Sequence, residues 1–405
     1  MTRFKRMTAI FLLLCLLLAG AGRAFAAGGG EEARPTAAEP QQTAEGRFAM
    51  PSFDVPAKEA ILIAQDTGDV LYQKNPDARV PIASITKVMT LLLTFEAIDA
   101  GKISLSDIVP VSEHAYSMGG SQIWLEPGEQ FTLDEMIKAI CVSSANDAAV
   151  AVAEFVGGSE PVFAEMMTKR AQELGMENTS FKNACGLDTE GHFSSARDVA
   201  IMSRELLSRH PGITAYTTIW MDSLRGGATQ LINTNKLLRN YQGITGLKTG
   251  TTGGAGICIS ASATRDGLSL IAVVLGSSTS EERFAAATAL LDYGFANYEV
   301  AGMPDLSAQP DSLPVTGGAE QEVELVYTLP EHLLLKKGEG AALEAAVTLP
   351  ESVGAPVQAG AELGSVRLAV GGEELGVYPI TAKNTVEAMT FGIAFDRLWQ
   401  ALTSL

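Results

Sequence analysis

The stretch Pro81-Ile82-Ala83-Ser84-Ile85-Thr86-Lys87-Val88-Met89-Thr90-Leu91-Leu92-Leu93 decides how this 405-residue chain is read. An apolar run begins directly after Lys87, which predicts a buried helix with Ser84 in its first turn. The i, i+3 spacing puts the Ser84 hydroxyl and the Lys87 amine on one helix face. A lysine amine is normally protonated and is then no base. Burial or a neighbouring cation lowers its pKa, and a helix N-terminus favours negative charge developing near Ser84. Alone, a Ser-x-x-Lys quartet is a weak signal, since about one is expected by chance in a chain of this size. Here Ser84 is the only serine with a lysine three places on.

Two more motifs, each present once, follow in order: Ser144-Ala145-Asn146 and Lys248-Thr249-Gly250. Ser143-Ser144-Ala145-Asn146-Asp147 lies between the apolar stretches Met136 to Val142 and Ala148 to Val156, and reads as a turn linking two helices. Ser144 offers a second hydroxyl for proton relay and Asn146 an amide for a substrate. The competing reading is that Ser143 or Ser144 only caps the second helix. The third motif lies in Gly246-Leu247-Lys248-Thr249-Gly250-Thr251-Thr252-Gly253-Gly254-Ala255-Gly256. Strand-like runs follow, Ile257 to Ala263 and Leu268 to Leu275, around an Arg265-Asp266-Gly267 hairpin turn. Lys248 to Gly250 are therefore expected on an edge strand beside the Ser84 helix, with Lys248 as a candidate neighbouring cation for Lys87. Gly250 lets a bound peptide approach closely, and the backbone N–H groups of Ser84 and Thr251 are candidates for an oxyanion hole. The glycine-rich stretch can also be read as a flexible loop.

Nucleophile, amine base, second hydroxyl, amide and cation in this order are the parts of one acyl-transfer site. From about Phe53 to the C-terminus the chain resembles the low-molecular-weight penicillin-binding proteins, the serine D-alanyl-D-alanine carboxypeptidases. Asn183-Ala184-Cys185-Gly186-Leu187-Asp188, Gly191-His192-Phe193-Ser194-Ser195-Ala196-Arg197-Asp198 and Ala64-Gln65-Asp66-Thr67-Gly68-Asp69-Val70-Leu71 also look like family stretches. The resemblance implies that Ser84 is acylated by the terminal D-Ala-D-Ala of a peptidoglycan stem peptide. Lys87 would then be the base, Ser144 the proton donor to the leaving D-alanine, and Asn146 a substrate-orienting residue. Lys248, Thr249, Gly250 and Thr251 would bind the substrate. Arg283 stands where relatives carry an arginine for the terminal carboxylate, although a surface pairing with Glu281 or Glu282 reads equally well. The resemblance further implies β-lactam antibiotics as covalent inhibitors. Three departures stand out: Ala145 where many relatives have glycine, Thr251 where some have histidine, and Cys185 where proline is expected. None removes a reacting group.

The net charge of −18 leaves no footprint for nucleic acid. His114, His192, His210 and His332 have no metal-ligand spacing, and no His-Glu-x-x-His occurs, so no metal or other cofactor is expected. A Gly-x-Ser-x-Gly elbow is also missing. Competing functions are a D,D-endopeptidase or β-lactamase using the same site, or a non-catalytic peptidoglycan-binding scaffold. The glutamate that class A β-lactamases use in deacylation has no convincing match, because Glu205-Leu206-Leu207 lacks the following asparagine.

The expected fold class is α+β: a penicillin-binding, β-lactamase-like transpeptidase domain with an antiparallel sheet packed on helices. A small all-β domain and an amphipathic helix follow. Residues 1–26 read as a secretory signal, with Arg3, Lys5 and Arg6, the apolar core Ile10 to Leu18, and Ala24-Phe25-Ala26 as cleavage site. An uncleaved anchor is the alternative. Residues 27–48 read as linker, 49–300 as the catalytic domain and 319–383 as the β-rich domain, with 304–318 linker-like between them. Residues 386–405 place Phe391, Phe395, Leu398, Leu402 and Leu405 on one helical stripe beside Trp399, which suits membrane-surface contact. Arg397 is its only basic residue. The helix can alternatively dock on the β domain or on a second copy. The expected location is the extracytoplasmic face of the cell membrane or the cell wall.

Overall fold

The computed structural model describes residues 48–403. The expected signal peptide and nearly all of the 27–48 linker lie outside the described residues, as does Leu405 of the terminal stripe. Five strands form an antiparallel sheet: β1 (Glu59–Ala64), β2 (Val70–Lys74), β3 (Ile244–Thr252), β4 (Gly256–Arg265) and β5 (Leu268–Ser277). Their order is β2-β1-β5-β4-β3, so the first and last strands in sequence are neighbours and β3 is an edge. The β4–β5 connection places Asp266 and Gly267 at positive φ, 49° and 81°, as a two-residue hairpin requires.

Strand side chains alternate between two cores. Ile61, Ile63, Ile271 and Val273 face a core shared with α1 (Lys87–Asp99) and α5 (Ala196–Arg209). Ala60, Leu62, Leu270, Ala272 and Val274 face a second core built with α6 (Ser280–Asn297). Burial on both faces is why these strands read as unbroken apolar runs. The helical lobe inserted between β2 and β3 includes α2 (Leu133–Val142), α3 (Asn146–Gly157) and α4 (Glu160–Glu173). Reciprocal capping boxes, Thr132 with Glu135 and Thr279 with Glu282, start α2 and α6 by satisfying their first N–H groups.

Beyond α6, β6 (Tyr298–Ala301) pairs with β9 (Leu333–Lys336). The remaining strands are β7 (Ser312–Thr316), β8 (Glu322–Tyr327), β10 (Leu343–Thr348), β11 (Val353–Gly354), β12 (Glu362–Val370) and β13 (Glu373–Ala382). They form one sheet in the order β10-β12-β13-β8-β7-β11 over a core that includes Val323, Val366, Leu368 and Ile380. The stretch read as linker over 304–318 therefore carries a strand: Leu313 and Val315 of β7 are buried in this core. Gly371 and Gly372 turn β12 into β13, both at positive φ. The chain ends in α7 (Phe391–Thr403). Three cysteines, Cys141, Cys185 and Cys258, are buried with free thiols.

Gly157 tests how tightly the lobe is packed. A Cβ there would lie 2.8 Å from the Phe163 Cβ and 3.1 Å from its backbone N and Cα. In an open helix Gly→Ala gains roughly 1 kcal/mol. Here overpacking reverses the sign, and Gly157→Ala is expected to destabilise by about 1–3 kcal/mol, read as a lowered denaturant midpoint at unchanged m-value.

Candidate active site

Residues Ala83–Thr86 form a single 3₁₀ turn that leads into α1. Ile82, Ala83 and Ile85 are buried, which leaves half-buried Ser84 as the residue of the turn turned toward the cleft. The Ser84 Oγ accepts a hydrogen bond from Lys87 Nζ at 2.9 Å. Ala83 sits at φ +48°, and Gly186 packs so closely on it that an added Cβ would overlap the Ala83 carbonyl oxygen. Backbone contact with a neighbouring loop thus fixes the turn.

Lys87 is fully buried. Besides Ser84, it donates to Asn146 Oδ1 at 2.6 Å and to the Cys185 carbonyl at 2.7 Å. Its three N–H groups therefore meet three neutral oxygens from three separate segments. Burial brings its pKa down to about 8. Lys248, likewise buried, is held well below the ordinary lysine range by burial first and by repulsion from Lys87 second. For Lys87 burial alone lowers the pKa, and the neighbouring cation expected to help is not among its causes. Repulsion between two nearby ammonium groups favours the loss of one of their protons.

Ser144 occupies the turn between α2 and α3 at φ +60°. Neither it nor Ser143 caps α3: the N-cap is Ala145, without a side-chain hydrogen bond. The Asn146 amide is engaged at both ends, accepting from Lys87 and donating through Nδ2 to the Gly119 carbonyl at 2.7 Å. Buried Asp147 accepts from the backbone N–H groups of Ile123, Leu125 and Ala148. A loop over 119–125 is thereby wrapped around the start of α3.

On β3, Gly250 passes so close to the Ser84 turn that a Cβ would stand 2.9 Å from Ser84 N. Lys248 Nζ donates to the Thr249 carbonyl at 2.9 Å, and Thr249 Oγ1 donates to Thr234 Oγ1 at 2.6 Å. Thr251 follows, exposed at the cleft-side edge. Arg283, 7% exposed, lies over the Phe284 ring and donates to the Cys258 carbonyl and the Ser280 hydroxyl. Neither Glu281 nor Glu282 pairs with it, and its buried Nε has no partner in the protein. Burial lowers its pKa to about 10. Lys87, Lys248 and Arg283 are close enough for their charges to interact, and no carboxylate forms a salt bridge with any of them among the described residues. Buried charge without a counter-ion is costly.

The three motifs and Arg283 thus converge on one site. Sequence reasoning did not single out the Cys185 carbonyl, Gly119, Asp147 or Thr234. Asp147 carried a faint signal, as an acid inside an otherwise apolar helix start. The others act through backbone carbonyls or one hydroxyl brought in from far along the chain, which no local pattern marks.

A family model described as D-alanyl-D-alanine carboxypeptidase matches residues 43–279, and one described as penicillin-binding protein 5, C-terminal domain, matches 307–388. The D-alanyl-D-alanine carboxypeptidase DacF of Bacillus subtilis is 43% identical over 391 residues, covering 96% of each chain. The structure of penicillin binding protein 5 from Haemophilus influenzae has a TM-score of 0.74 at 30% identity, covering 83% of this chain and 99% of that one. Penicillin-Binding Protein D2 from Listeria monocytogenes in its cefotaxime-bound form has a TM-score of 0.56 at 33% identity, covering 60% of this chain and 99% of that one.

Lys87 can take the Ser84 proton only after losing its own, which happens as pH rises through about 8. Reactivity of Ser84 toward an acylating probe is expected to climb roughly tenfold per pH unit below that value and then level off. Acylation rates measured from pH 6 to pH 10 check this, and a flat profile contradicts it.

Proposed function

The chain belongs to the D-alanyl-D-alanine carboxypeptidase family, and we propose that it is a serine carboxypeptidase that removes the terminal D-alanine from peptidoglycan stem peptides through an acyl-enzyme at Ser84. One observation carries the reading of the site: a hydroxyl bonded to a buried amine of lowered pKa lies among three buried basic groups that have no carboxylate partner. A substrate ending in a free carboxylate supplies the missing anion, and its last peptide bond then falls to the nucleophile.

In this reading neutral Lys87 takes the Ser84 proton as Oγ attacks the carbonyl carbon of the penultimate D-alanine. The N–H groups of Ser84 and Thr251 hold the developing oxyanion, and aimed backbone donors of this kind are a large term in acyl transfer. Ser144 passes a proton to the departing D-alanine nitrogen and recovers one from Lys87, which is then neutral again. Lys248, Thr249 and Arg283 hold the terminal carboxylate, and Gly250 gives the substrate backbone room. Asn146 acts on the base as well as on substrate, since its amide oxygen is bonded to Lys87. Water then cleaves the Ser84 ester with Lys87 again accepting a proton. β-Lactams acylate the same serine, in keeping with the cefotaxime-bound structural neighbour.

We further propose export through residues 1–26 and membrane-surface contact through α7. The helix exposes Phe391, Phe395, Leu398, Trp399 and Leu402, and its aromatic rings stack in succession along one face. Residues 386–405 carry the acids Glu387 and Asp396 and the single base Arg397, so apolar burial is the attraction. No helix among the described residues is long and apolar enough to cross a membrane.

Ser84→Ala is expected to abolish the covalent benzylpenicillin adduct seen by intact mass. It should also cut D-alanine release from a D-Ala-D-Ala-terminated pentapeptide by on the order of 10⁴-fold or more. An adduct that persists in the variant overturns the assignment of Ser84. For α7, flotation with phosphatidylcholine vesicles is expected to carry the full chain, with little change in high salt, and to lose it when residues 389–405 are removed. Equal flotation of both forms contradicts membrane contact through this helix.

A further inference from the structure

The segment over 183–188 touches both halves of the site. The Asn183 side chain closes it into a tight turn, its Oδ1 accepting from the N–H groups of Cys185, Gly186 and Leu187. That turn presents the Cys185 carbonyl to Lys87 and lays Gly186 against the Ala83 carbonyl. Asp188, the next residue after the turn, reaches the other side of the cleft. Its Oδ1 accepts from Thr252 Oγ1 at 2.7 Å and its Oδ2 from Gly254 N at 2.9 Å. Thr252 Oγ1 accepts in turn from Ala255 N at 3.0 Å, so one carboxylate organises the whole β3–β4 turn. The turn is shaped around that carboxylate: a Cβ at Gly254 would lie 3.1 Å from each of its oxygens.

The location gives these bonds their consequence. Thr252 ends β3 and directly follows Thr251. Because β3 is an edge strand, only β4 holds it on the sheet side, and an edge end is free to fray. On the cleft side it meets the Ser84 turn at Gly250. The Asp188 clamp thus ties the end of the strand to the same segment that holds the base and the nucleophile turn.

We propose that Asp188 is a positioning residue for acyl transfer: by clamping Thr252 and Gly254 it fixes the Thr251 N–H relative to Ser84. This rests on the acyl-transfer reading above. Asp188 touches no reacting atom, so its removal acts on the rate of the chemical step and leaves binding through Lys248, Thr249 and Arg283 in place.

The test uses the full chain and measures benzylpenicillin acylation and D-alanine release for wild type, Asp188→Ala, Asp188→Asn, Thr252→Val and the Asp188→Ala/Thr252→Val double variant. Asp188→Ala is expected to lower the acylation rate constant and kcat roughly tenfold or more, with KM within about threefold and Tm little changed. Asp188→Asn keeps an acceptor oxygen and is expected to recover most of the loss. Thr252→Val is expected to lose part of the rate, and the double variant to lose less than the product of the single effects. A wild-type rate in Asp188→Ala overturns the proposal. So does a rate loss that merely tracks the unfolded fraction, an Asn variant as slow as Ala, or fully multiplicative effects. If Asp188→Ala fails to fold, Thr252→Val alone decides, and an unchanged rate there overturns the clamp. A wild-type protein that forms no adduct instead removes the acyl-transfer reading itself, so the two failures are told apart.

Discussion

The Lys87 ammonium is buried with only neutral oxygens around it, and the rest of the site is arranged by that constraint. A cation out of water must keep all three of its N–H groups bonded. Its partners come from the nucleophile turn, the α2–α3 turn and the 183–188 segment. Those three pieces of chain are consequently locked together around one atom. With no carboxylate in the set, desolvation outweighs attraction and the amine gives up its proton as pH rises through about 8. A salt bridge in the same place would hold the proton and leave Ser84 without a base.

The strands and helices around this atom serve a different end, which is registration. Sheet burial on both faces leaves β4 and β5 little freedom, so the edge strand β3 is placed by its partners in the sheet and by close contact at Gly250. Side chains outside the three motifs finish the job. Asp147 wraps the 119–125 loop, and Thr234 receives the Thr249 hydroxyl. The small β domain has a core of its own.

Much of this was readable in the chain. Ser84 and Lys87 stand one helical turn apart, the Asp266-Gly267 hairpin is a local signal, and the order of the three motifs marks the chemistry. What escaped reading has a common physical origin. The Cys185 carbonyl and the Gly119 carbonyl carry no side-chain identity, so no residue type advertises them. Asn146 was expected to face substrate, and only the fold reveals that its amide oxygen is bonded to the base. Arg283 was evenly balanced between surface and site because local sequence offers it two glutamates; the packing of α6 on the sheet buries it instead. The strand Ser312–Thr316 was hidden because Pro310, Pro314 and the glycine pair after it look like linker, while only Leu313 and Val315 point inward.

The three buried thiols have a consequence for how the folded protein meets an oxidant. Thiolate is the reactive form of cysteine, and burial pushes Cys141 up to about 12, Cys258 up to about 11, and Cys185 upward as well. Each is shut inside a core that must open before an oxidant reaches it. Once folded, the protein therefore offers an oxidant no accessible thiol among its described residues.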